Sequence, residues 1–260
     1  MSFLTECYYR LASLSPEGQI EELKKLQKVT YPDRLLEKIF MTAITKENIQ
    51  LIKTLLEMGI YKNFKDYNYY RESDPPIEKA IEIGNLDIVK MLIPYGANIH
   101  AALGYTIVKA VLAQSVEIVK FLLDNGADVH AFKDAALIFA VEKNYHQIVD
   151  VLLQYGADVH ARNEEPLLTA ISNYHFDLAD FLIQKGADVN VLSTIHEYLG
   201  DAVYFIRKDF QMARYIKSKN IDIFNILVLI KDQYPKYVSE FVKSLDIDQK
   251  TVLKALFTLP

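Results

Sequence analysis

Three histidines recur at intervals of 30 residues, His100, His130 and His160, and histidines in register could bind a metal ion. Zinc–nitrogen bonds are about 2.0–2.1 Å long, whereas stacked helices lie about 8–10 Å apart. Ligands from successive helical units therefore do not converge on one ion. We interpret these histidines as turn residues that hydrogen-bond to neighbouring backbone, with Asn190 in their place in a fourth copy.

The other candidates for catalysis lack the partners that their chemistry needs. The segment HEYLG at 196–200 begins like the zinc-protease motif H-E-x-x-H but has no second histidine. Cys7 has no nearby histidine and lies in a helix-like segment, where a small buried side chain is expected. Neither glycine-rich phosphate-binding motif, G-x-x-x-x-G-K-[ST] or G-x-G-x-x-G, is found. We expect no catalytic, cofactor or metal site, and keep an enzyme activity in the divergent ends of the chain as an alternative.

Composition excludes several other classes of protein. The 260 residues are 51% hydrophobic and carry a formal charge of −5, so attraction to nucleic acid or to an anionic membrane is not expected. A single cysteine forms no intrachain disulfide, which fits a reducing compartment. The start, MSFLTECYYRLAS, lacks the pattern of a secretory signal. The longest apolar run, at 223–230, is shorter than the roughly 20 residues that span a bilayer. A soluble intracellular protein is expected.

A pentapeptide repeats along the chain, as GANIH at 96–100, GADVH at 126–130 and 156–160, and GADVN at 186–190. An alanine followed by isoleucine or valine precedes each copy, and a second apolar pair follows eight residues after that alanine. The alanines in register are Ala43, Ala80, Ala110, Ala140 and Ala170, and the glycines in register are Gly59, Gly96, Gly126, Gly156 and Gly186. These positions define one structural unit that recurs along the chain.

Each unit is predicted to be a helix, a short turn, a second helix and a glycine stop. In residues 134–160 the apolar positions have helical spacing on both sides of Lys143-Asn144. Glycine ends the second helix because it adopts a positive φ without steric cost. The aspartate that follows is expected to accept backbone N–H groups in the turn, and the valine to enter the core. One pair of helices cannot bury its apolar faces alone, so neighbouring units must stack.

The segment VEIVKFLLDNGADVH at 116–130 resembles the second half of an ankyrin repeat. The resemblance covers about 43–190 and implies an all-α ankyrin-repeat solenoid of stacked helix-turn-helix units with short extended turns and divergent helical caps. The first half of each unit departs from the family. PPIE, YTIV, AALI and EPLL stand where ankyrin repeats carry T-P-L-H. The interval is three residues shorter than the usual ~33, and the missing residues lie where other ankyrin repeats form a β-hairpin finger.

The 30-residue interval and the lost T-P-L-H are similar to ankyrin families of giant DNA viruses of amoebae, with bacterial effectors as the alternative source. This similarity implies the cytoplasm of an infected host cell as the location. The expected organisation is an N-terminal helical cap at 1–35, repeats at 36–73, 74–103, 104–133, 134–163, 164–193 and 194–223, and a degenerate C-terminal cap at 224–260.

The resemblance implies a monomer that binds a protein partner, such as a host protein, through the concave face and turn loops of the stack, without nucleic acid, membrane or cofactor. The binding positions carried over from the family are Glu82, Ile83, Leu112, Ala113, Glu142, Lys143, Ser172 and Asn173 after the alanine pairs, and Tyr95, Asn125, Tyr155 and Lys185 before the glycines. The alternative is an adaptor that recruits a ubiquitin ligase through a divergent end.

One interval is longer than the rest. The step from Ala43 to Ala80 is 37 residues, so seven additional residues enter within IYKNFKDYNYYRESDPP at 60–76. Tyrosine is favoured at protein interfaces because it offers a large amphipathic area at low entropic cost. Tyr67, Tyr69 and Tyr70 are therefore predicted to contact a partner, and the alternative is that their rings cover the first repeat.

Overall fold

The structure is a computed structural model that describes residues 3–27, 32–61, 76–99, 105–194, 211–220, 227 and 235–244. The α-helices of this part of the chain are α1 (Phe3–Ala12), α2 (Pro16–Leu26), α3 (Pro32–Thr45), α4 (Ile49–Glu57), α5 (Pro76–Ile83), α6 (Leu86–Leu92), α7 (Tyr105–Leu112), α8 (Val116–Asp124), α9 (Ala131–Glu142), α10 (His146–Gln154), α11 (Ala161–Ser172), α12 (Phe176–Gln184), α13 (Gln211–Ser218) and α14 (Pro235–Ser244). Short 3-10 helices follow α6 and α12, at Ile93–Tyr95 and Val189–Thr194. No strand occurs among the described residues.

Polar side chains begin many of these helices. Ser15 accepts a hydrogen bond from the N–H of Gly18 at 3.3 Å, and Pro16 follows it at the start of α2. Asn48, Asn85 and Ser115 accept equivalent bonds at the starts of α4, α6 and α8. Each cap satisfies a backbone N–H that has no partner inside its own helix, which fixes where the second helix of a repeat begins.

The predicted glycine stops are confirmed. The glycines at 59, 96, 126, 156 and 186 all have a positive φ, between 77° and 111°. At Gly126 the N–H donates to the carbonyl of Leu123, and the next N–H, of Ala127, donates to the carbonyl of Leu122 at 2.9 Å. This pair of bonds is a Schellman motif, and it satisfies two carbonyls at the end of α8. Asn220, which stands in the glycine position after α13, also has a positive φ of 60°, as expected from its tolerance of that region.

The paired apolar positions of the repeats form the core. The alanine and its β-branched neighbour are buried in every copy, as at Ala110 and Val111. The second apolar pair of each unit, represented by Ile118 and Val119, is likewise fully buried. Cys7 is buried in α1, which confirms its expected role as a small core side chain, and burial raises the pKa of its thiol. The positions that the sequence pattern assigns to the core are therefore buried, as stacking of the units requires.

The chain divides into two compact units. Unit 1 comprises 1–140 and 147–157, and unit 2 comprises 141–146 and 158–260. In unit 1 the first helices of successive pairs are neighbours, with α1 beside α3, α3 beside α5 and α5 beside α7. The second helices are neighbours in the same order, from α2 through α4 and α6 to α8. Helices α1 and α2 therefore stack as one more pair, in the place of the predicted N-terminal cap.

A buried polar contact joins this first pair to the repeats. Gln19 in α2 is 1% exposed and accepts a hydrogen bond from the hydroxyl of Thr54 in α4 at 3.0 Å. Its amide nitrogen donates to the carbonyl of Leu11 at 3.2 Å. Buried polar groups are costly unless they are hydrogen-bonded, so this contact specifies how α2 stacks on α4.

Unit 2 contains the packed pair α11 and α12, and the 3-10 helix at Val189–Thr194 contacts α11. Helix α13 lies within the predicted repeat at 194–223 and buries Met212, Ala213 and Ile216. The ring of Tyr215 stacks on Phe176 of α12 with centroids 4.6 Å apart. Helix α14 begins at Pro235, within the predicted C-terminal cap.

Candidate partner-binding surface

Each helix pair has two ends. We call the end where the first helix turns into the second the turn end, and the end where the second helix leads to the next pair the loop end. A connection such as Gly84-Asn85, between α5 and α6, is too short for anything but an antiparallel pair. A helix of eight residues is about 12 Å long, so the two ends of a pair are separated by about that distance.

The predicted residues after the alanine pairs lie at turn ends. In unit 1, Leu112 is 43% exposed at the end of α7, and Glu82 is exposed at the end of α5, where it pairs with Lys79 at 3.0 Å. Ile83 and Ala113 beside them are half-buried.

The turn-end residues of unit 2 are largely engaged within the unit. Lys143 pairs with Glu142 at 2.9 Å. The side chains of Ser172 and Asn173 both donate to the carbonyl of Thr169, at 3.0 and 2.9 Å. The two bonds to Thr169 satisfy a carbonyl near the end of α11, which gives these two residues a structural role.

The predicted residues before the glycines lie at loop ends, and all four are exposed. Asn125 donates from its side chain to the carbonyl of Phe121 at 2.8 Å. The ammonium of Lys185 lies 4.9 Å from the centroid of the Phe181 ring. The hydroxyl of Tyr155 donates to Asp124 of the preceding second helix, and this hydrogen bond raises the pKa of Tyr155. Tyr95 is 37% exposed.

The predicted positions therefore form two groups rather than one. Residues of the turn-end group and of the loop-end group of the same unit lie at opposite ends of antiparallel helices. Tyr67, Tyr69 and Tyr70 lie outside the described residues, as do His100 and the HEYLG segment.

The loop ends contain a feature that sequence reasoning missed. Helices α9 and α11 each open with three consecutive residues in the left-handed region, Phe132-Lys133-Asp134 and Arg162-Asn163-Glu164, with φ between 49° and 66°. The expected extended segment after the glycine therefore gives way to a left-handed turn at its C-terminal side. Pro166 follows the second turn, in the first turn of the right-handed helix, where its missing N–H is tolerated.

The first left-handed turn presents an aromatic side chain. Phe132 is 44% exposed, and its ring meets the ring of Tyr105 edge to face, with centroids 5.9 Å apart at 88°. Tyr105 is the first residue of α7. The equivalent of Phe132 in unit 2 is Arg162, in the same backbone conformation. Because an arginine occupies this position equally well, the repeat does not require an aromatic residue there.

The third residue of each left-handed turn is a buried acid that pairs with a repeat histidine. Asp134 is 5% exposed and lies 3.0 Å from Nδ1 of His130. Glu164 is 9% exposed and contacts Nδ1 of His160 in the same way. The prediction that the histidines bond to neighbouring backbone is therefore wrong for His130 and His160, because their rings bond to carboxylates.

The aspartates of the repeated pentapeptide fix the turn that precedes these pairs. Oδ1 of Asp128 accepts the backbone N–H of His130, and Oδ1 of Asp158 accepts that of His160, both at 2.9 Å. Asp188 accepts the N–H of Asn190 at 2.9 Å in the fourth copy. The predicted role of this aspartate is therefore confirmed.

In the second pair, the surrounding groups all favour the protonated form of His160 except for a small effect of burial. The hydrogen bond to Glu164 raises the pKa of His160, and the negative charges of Glu164, Asp158 and Asp188 raise it further. The other oxygen of Glu164 accepts the backbone N–H of Asp188 at 3.1 Å. One carboxylate thus joins its own histidine to the turn of the following repeat.

The sequence model described as "Ankyrin repeats (3 copies)" matches residues 40–133 and 107–193, which is more than half of the chain. The chain belongs to the ankyrin-repeat family. No curated protein matches it significantly. The predicted all-α repeat fold is thereby confirmed, and the left-handed turns show how an ankyrin unit closes with 30 residues in the two copies where they are described.

Ankyrin repeats indicate a protein–protein interaction module, and the family is generally non-catalytic. The described residues contain no cluster of three His, Cys, Asp or Glu side chains suited to a metal ion. None of the described helices is long and apolar enough to cross a membrane. What the described surface offers chemically is exposed aromatic, aliphatic and charged side chains on rigid helix ends.

Proposed function

We propose that this ankyrin protein binds a protein partner, and that in unit 1 the partner contacts the loop ends. The observation that carries the proposal is the exposure there of three large aromatic side chains, Tyr95, Phe132 and Tyr155. Leu112 is the comparable exposed apolar residue among the predicted positions of the turn ends. Aromatic residues dominate interface hot spots, whereas leucine is under-represented among them.

The ordering of two of these aromatic side chains also favours the loop ends of unit 1 as the binding site. The ring of Phe132 is held against Tyr105, and the hydroxyl of Tyr155 is held by Asp124. Side chains that are already ordered lose less conformational entropy when a partner binds. The cost of ordering an exposed aromatic ring is thus met in part by the fold.

Phe132→Arg tests the proposal, because Arg162 shows that the same left-handed position accepts arginine. Leu112→Arg is the matched control, since Leu112 has nearly the same exposure, 43% against 44%, at the opposite end of the repeats. A partner captured by the full chain would be purified and its dissociation constant measured with each variant. We expect Phe132→Arg to weaken binding by at least about 30-fold, the size of a hot spot. Leu112→Arg should leave it within about twofold. The reverse order of effects would move the site to the turn ends, and failure to capture any protein would contradict the binding function itself.

We also propose, on the similarity of the 30-residue interval to viral ankyrin families, that the partner is a host protein. Capture from an amoebal lysate, compared with capture from an unrelated lysate, is the test. Equal retention of the same housekeeping proteins from both lysates would argue against a host-specific partner.

The alternative function, an adaptor that recruits a ubiquitin ligase through a divergent end, stays a prediction, because residues 245–260 lie outside the described part of the chain. A ubiquitin-ligase subunit among the captured proteins would favour this alternative.

A further inference from the structure

The loop end of unit 2 contains a three-part contact built on Glu164. One oxygen of this buried carboxylate meets Nδ1 of His160, and the other accepts the N–H of Asp188 at 3.1 Å. Asp188 in turn fixes its own turn by accepting the N–H of Asn190. The turn at 187–190 is therefore held to α11 through one carboxylate and one imidazole.

The charged groups around His160 favour its protonated form. Glu164 faces it from α11, Asp158 from the preceding turn and Asp188 from the following turn. The nearest cation in sequence, Arg162, directs its guanidinium toward Glu165 at 3.5 Å. No element packed against the imidazole of His160 therefore presents a described cation that would oppose its protonation.

The charge on His160 matters because Glu164 is buried. A buried carboxylate is strongly destabilising unless an opposite charge and hydrogen bonds compensate its lost hydration. The imidazolium supplies both. The neutral imidazole supplies at most a hydrogen bond. Loss of the proton therefore favours an open state, in which the turn at 187–190 has left α11 and water hydrates Glu164.

We propose that His160 and Glu164 form a pH-sensitive clamp, which holds the turn at 187–190 against α11 while His160 is protonated and loosens as His160 loses its proton. The direction of the effect follows from linkage. Because the pKa of His160 is raised in the folded chain, its contribution to stability is fully present below the unfolded value of about 6.5 and is lost as the pH rises through the folded value. The clamp would tune the order of the loop end of unit 2, and it does not depend on the proposed binding function.

The first test is a proton NMR titration of the histidine rings in the full chain. We expect His160 to titrate above the ordinary histidine value of about 6.5. In Glu164→Gln, which keeps an acceptor oxygen but removes the charge, the titration of His160 should move to lower pH. Titration of wild-type His160 at or below a pH of about 6.5, or an unchanged titration in Glu164→Gln, would overturn the proposal. His146 is the control for substitution, since it is exposed and its Nδ1 faces the carbonyl of Asn144 rather than a carboxylate.

The second test is hydrogen exchange at the amide of Asp188, corrected for the intrinsic effect of pH. We expect protection in the wild type to fall as the pH rises above about 6.5, the ordinary pKa of histidine, and to level off once the pH has passed the raised pKa of His160. The fall should be a factor of about ten for each unit that separates the pKa values of His160 in the clamped and open states. His160→Asn copies Asn190 of the next repeat and should give protection that does not vary with pH, whereas His146→Asn should behave as the wild type. Constant protection in the wild type, or the same fall in His160→Asn, would refute the clamp. If Glu164→Gln loses helicity, the comparison of wild type with His160→Asn still tests the clamp.

Discussion

Replacing Gln114 with glycine should stabilise the protein. Gln114 follows α7 in the left-handed region, with a φ of 57°, and its N–H donates to the carbonyl of Val111 at 2.9 Å. Its exposed side chain forms no hydrogen bond or ion pair with the described residues. The equivalent residue after α5 is Gly84, with a φ of 82°. The substitution therefore removes strain at Gln114 without removing a hydrogen bond or an ion pair to the described residues.

The expected magnitude follows from two opposing terms. An L-residue in the left-handed region costs about 1–2 kcal/mol, which glycine avoids. Glycine adds about 0.5–1 kcal/mol of conformational entropy cost on folding. The net change in the free energy of unfolding is an increase between about 0 and 1.5 kcal/mol, with a central value of about 0.8 kcal/mol. Glu47 and Tyr174 have the same backbone conformation, but Glu47 accepts a bond from Asn85 and Tyr174 packs on Phe176, so glycine there would also remove contacts.

Urea unfolding measures the change, and hydrogen exchange of the α7 and α8 amides locates it, since repeat proteins can unfold in steps. Gly84→Ala is the opposite-sign control and should destabilise by a similar amount. Asn144→Gly should be nearly neutral, because asparagine tolerates the left-handed region best among the non-glycine residues here. A loss of about 1 kcal/mol for Gln114→Gly, the cost of glycine inside a right-handed helix, would refute the reasoning.

Two buried contacts of unit 1 give further tests by urea unfolding. Thr54→Val removes the donor to the buried Oε1 of Gln19 and should cost about 1–3 kcal/mol; the double variant with Gln19→Leu should recover part of this loss, and a double variant no better than the single would contradict the contact. Lys109→Met removes the ammonium that lies 2.7 Å from Glu78, which is 4% exposed, and should cost about 3–5 kcal/mol. Adding Glu78→Gln should restore most of that loss, and equal instability of both variants would show that the ion pair is not the cause.

The helix pairs could be predicted from sequence because their signals are local and repeated. Apolar pairs eight residues apart place two faces of two helices toward one core, and Ala110, Val111, Ile118 and Val119 are all fully buried. A glycine directly after such a pattern indicates the end of the helix, because glycine readily adopts the positive φ found there. The aspartate of the pentapeptide was likewise predictable, since short acceptors fix tight turns.

The left-handed turns could not be predicted because most of their residues do not favour that backbone. Phe132 and Lys133 are side chains for which a positive φ is uncommon. The one available signal was the interval, three residues shorter than ~33, which indicates that something replaces the finger but not what. The histidine–carboxylate pairs depend on this turn, since it brings residues four apart together outside a right-handed helix, and they were missed for the same reason.

The candidate surface was predicted position by position, and one of its properties depends on a tertiary contact. Tyr155 is bonded to Asp124, 31 residues away, so its hydroxyl has a partner within the fold. Whether such a bond forms depends on the residue that the neighbouring repeat supplies, which a single position does not reveal. The division into two ends was available from the helix length alone, because residues at opposite ends of an antiparallel pair cannot adjoin.

The three residues of each left-handed turn differ in how much their side chains contribute to the fold. Three L-residues in this region cost about 3–6 kcal/mol per turn if each costs about 1–2 kcal/mol. The acid at the third position offsets part of that cost by bonding the histidine and, at Glu164, the next turn. Lys133 forms no such bond with the described residues, and the edge contact of Phe132 with Tyr105 leaves nearly half of Phe132 exposed. Lys133→Gly would therefore relieve strain without loss of a hydrogen bond among the described residues. The described fold does not explain why a lysine stands there, and the proposed binding of a partner at the loop ends would explain it.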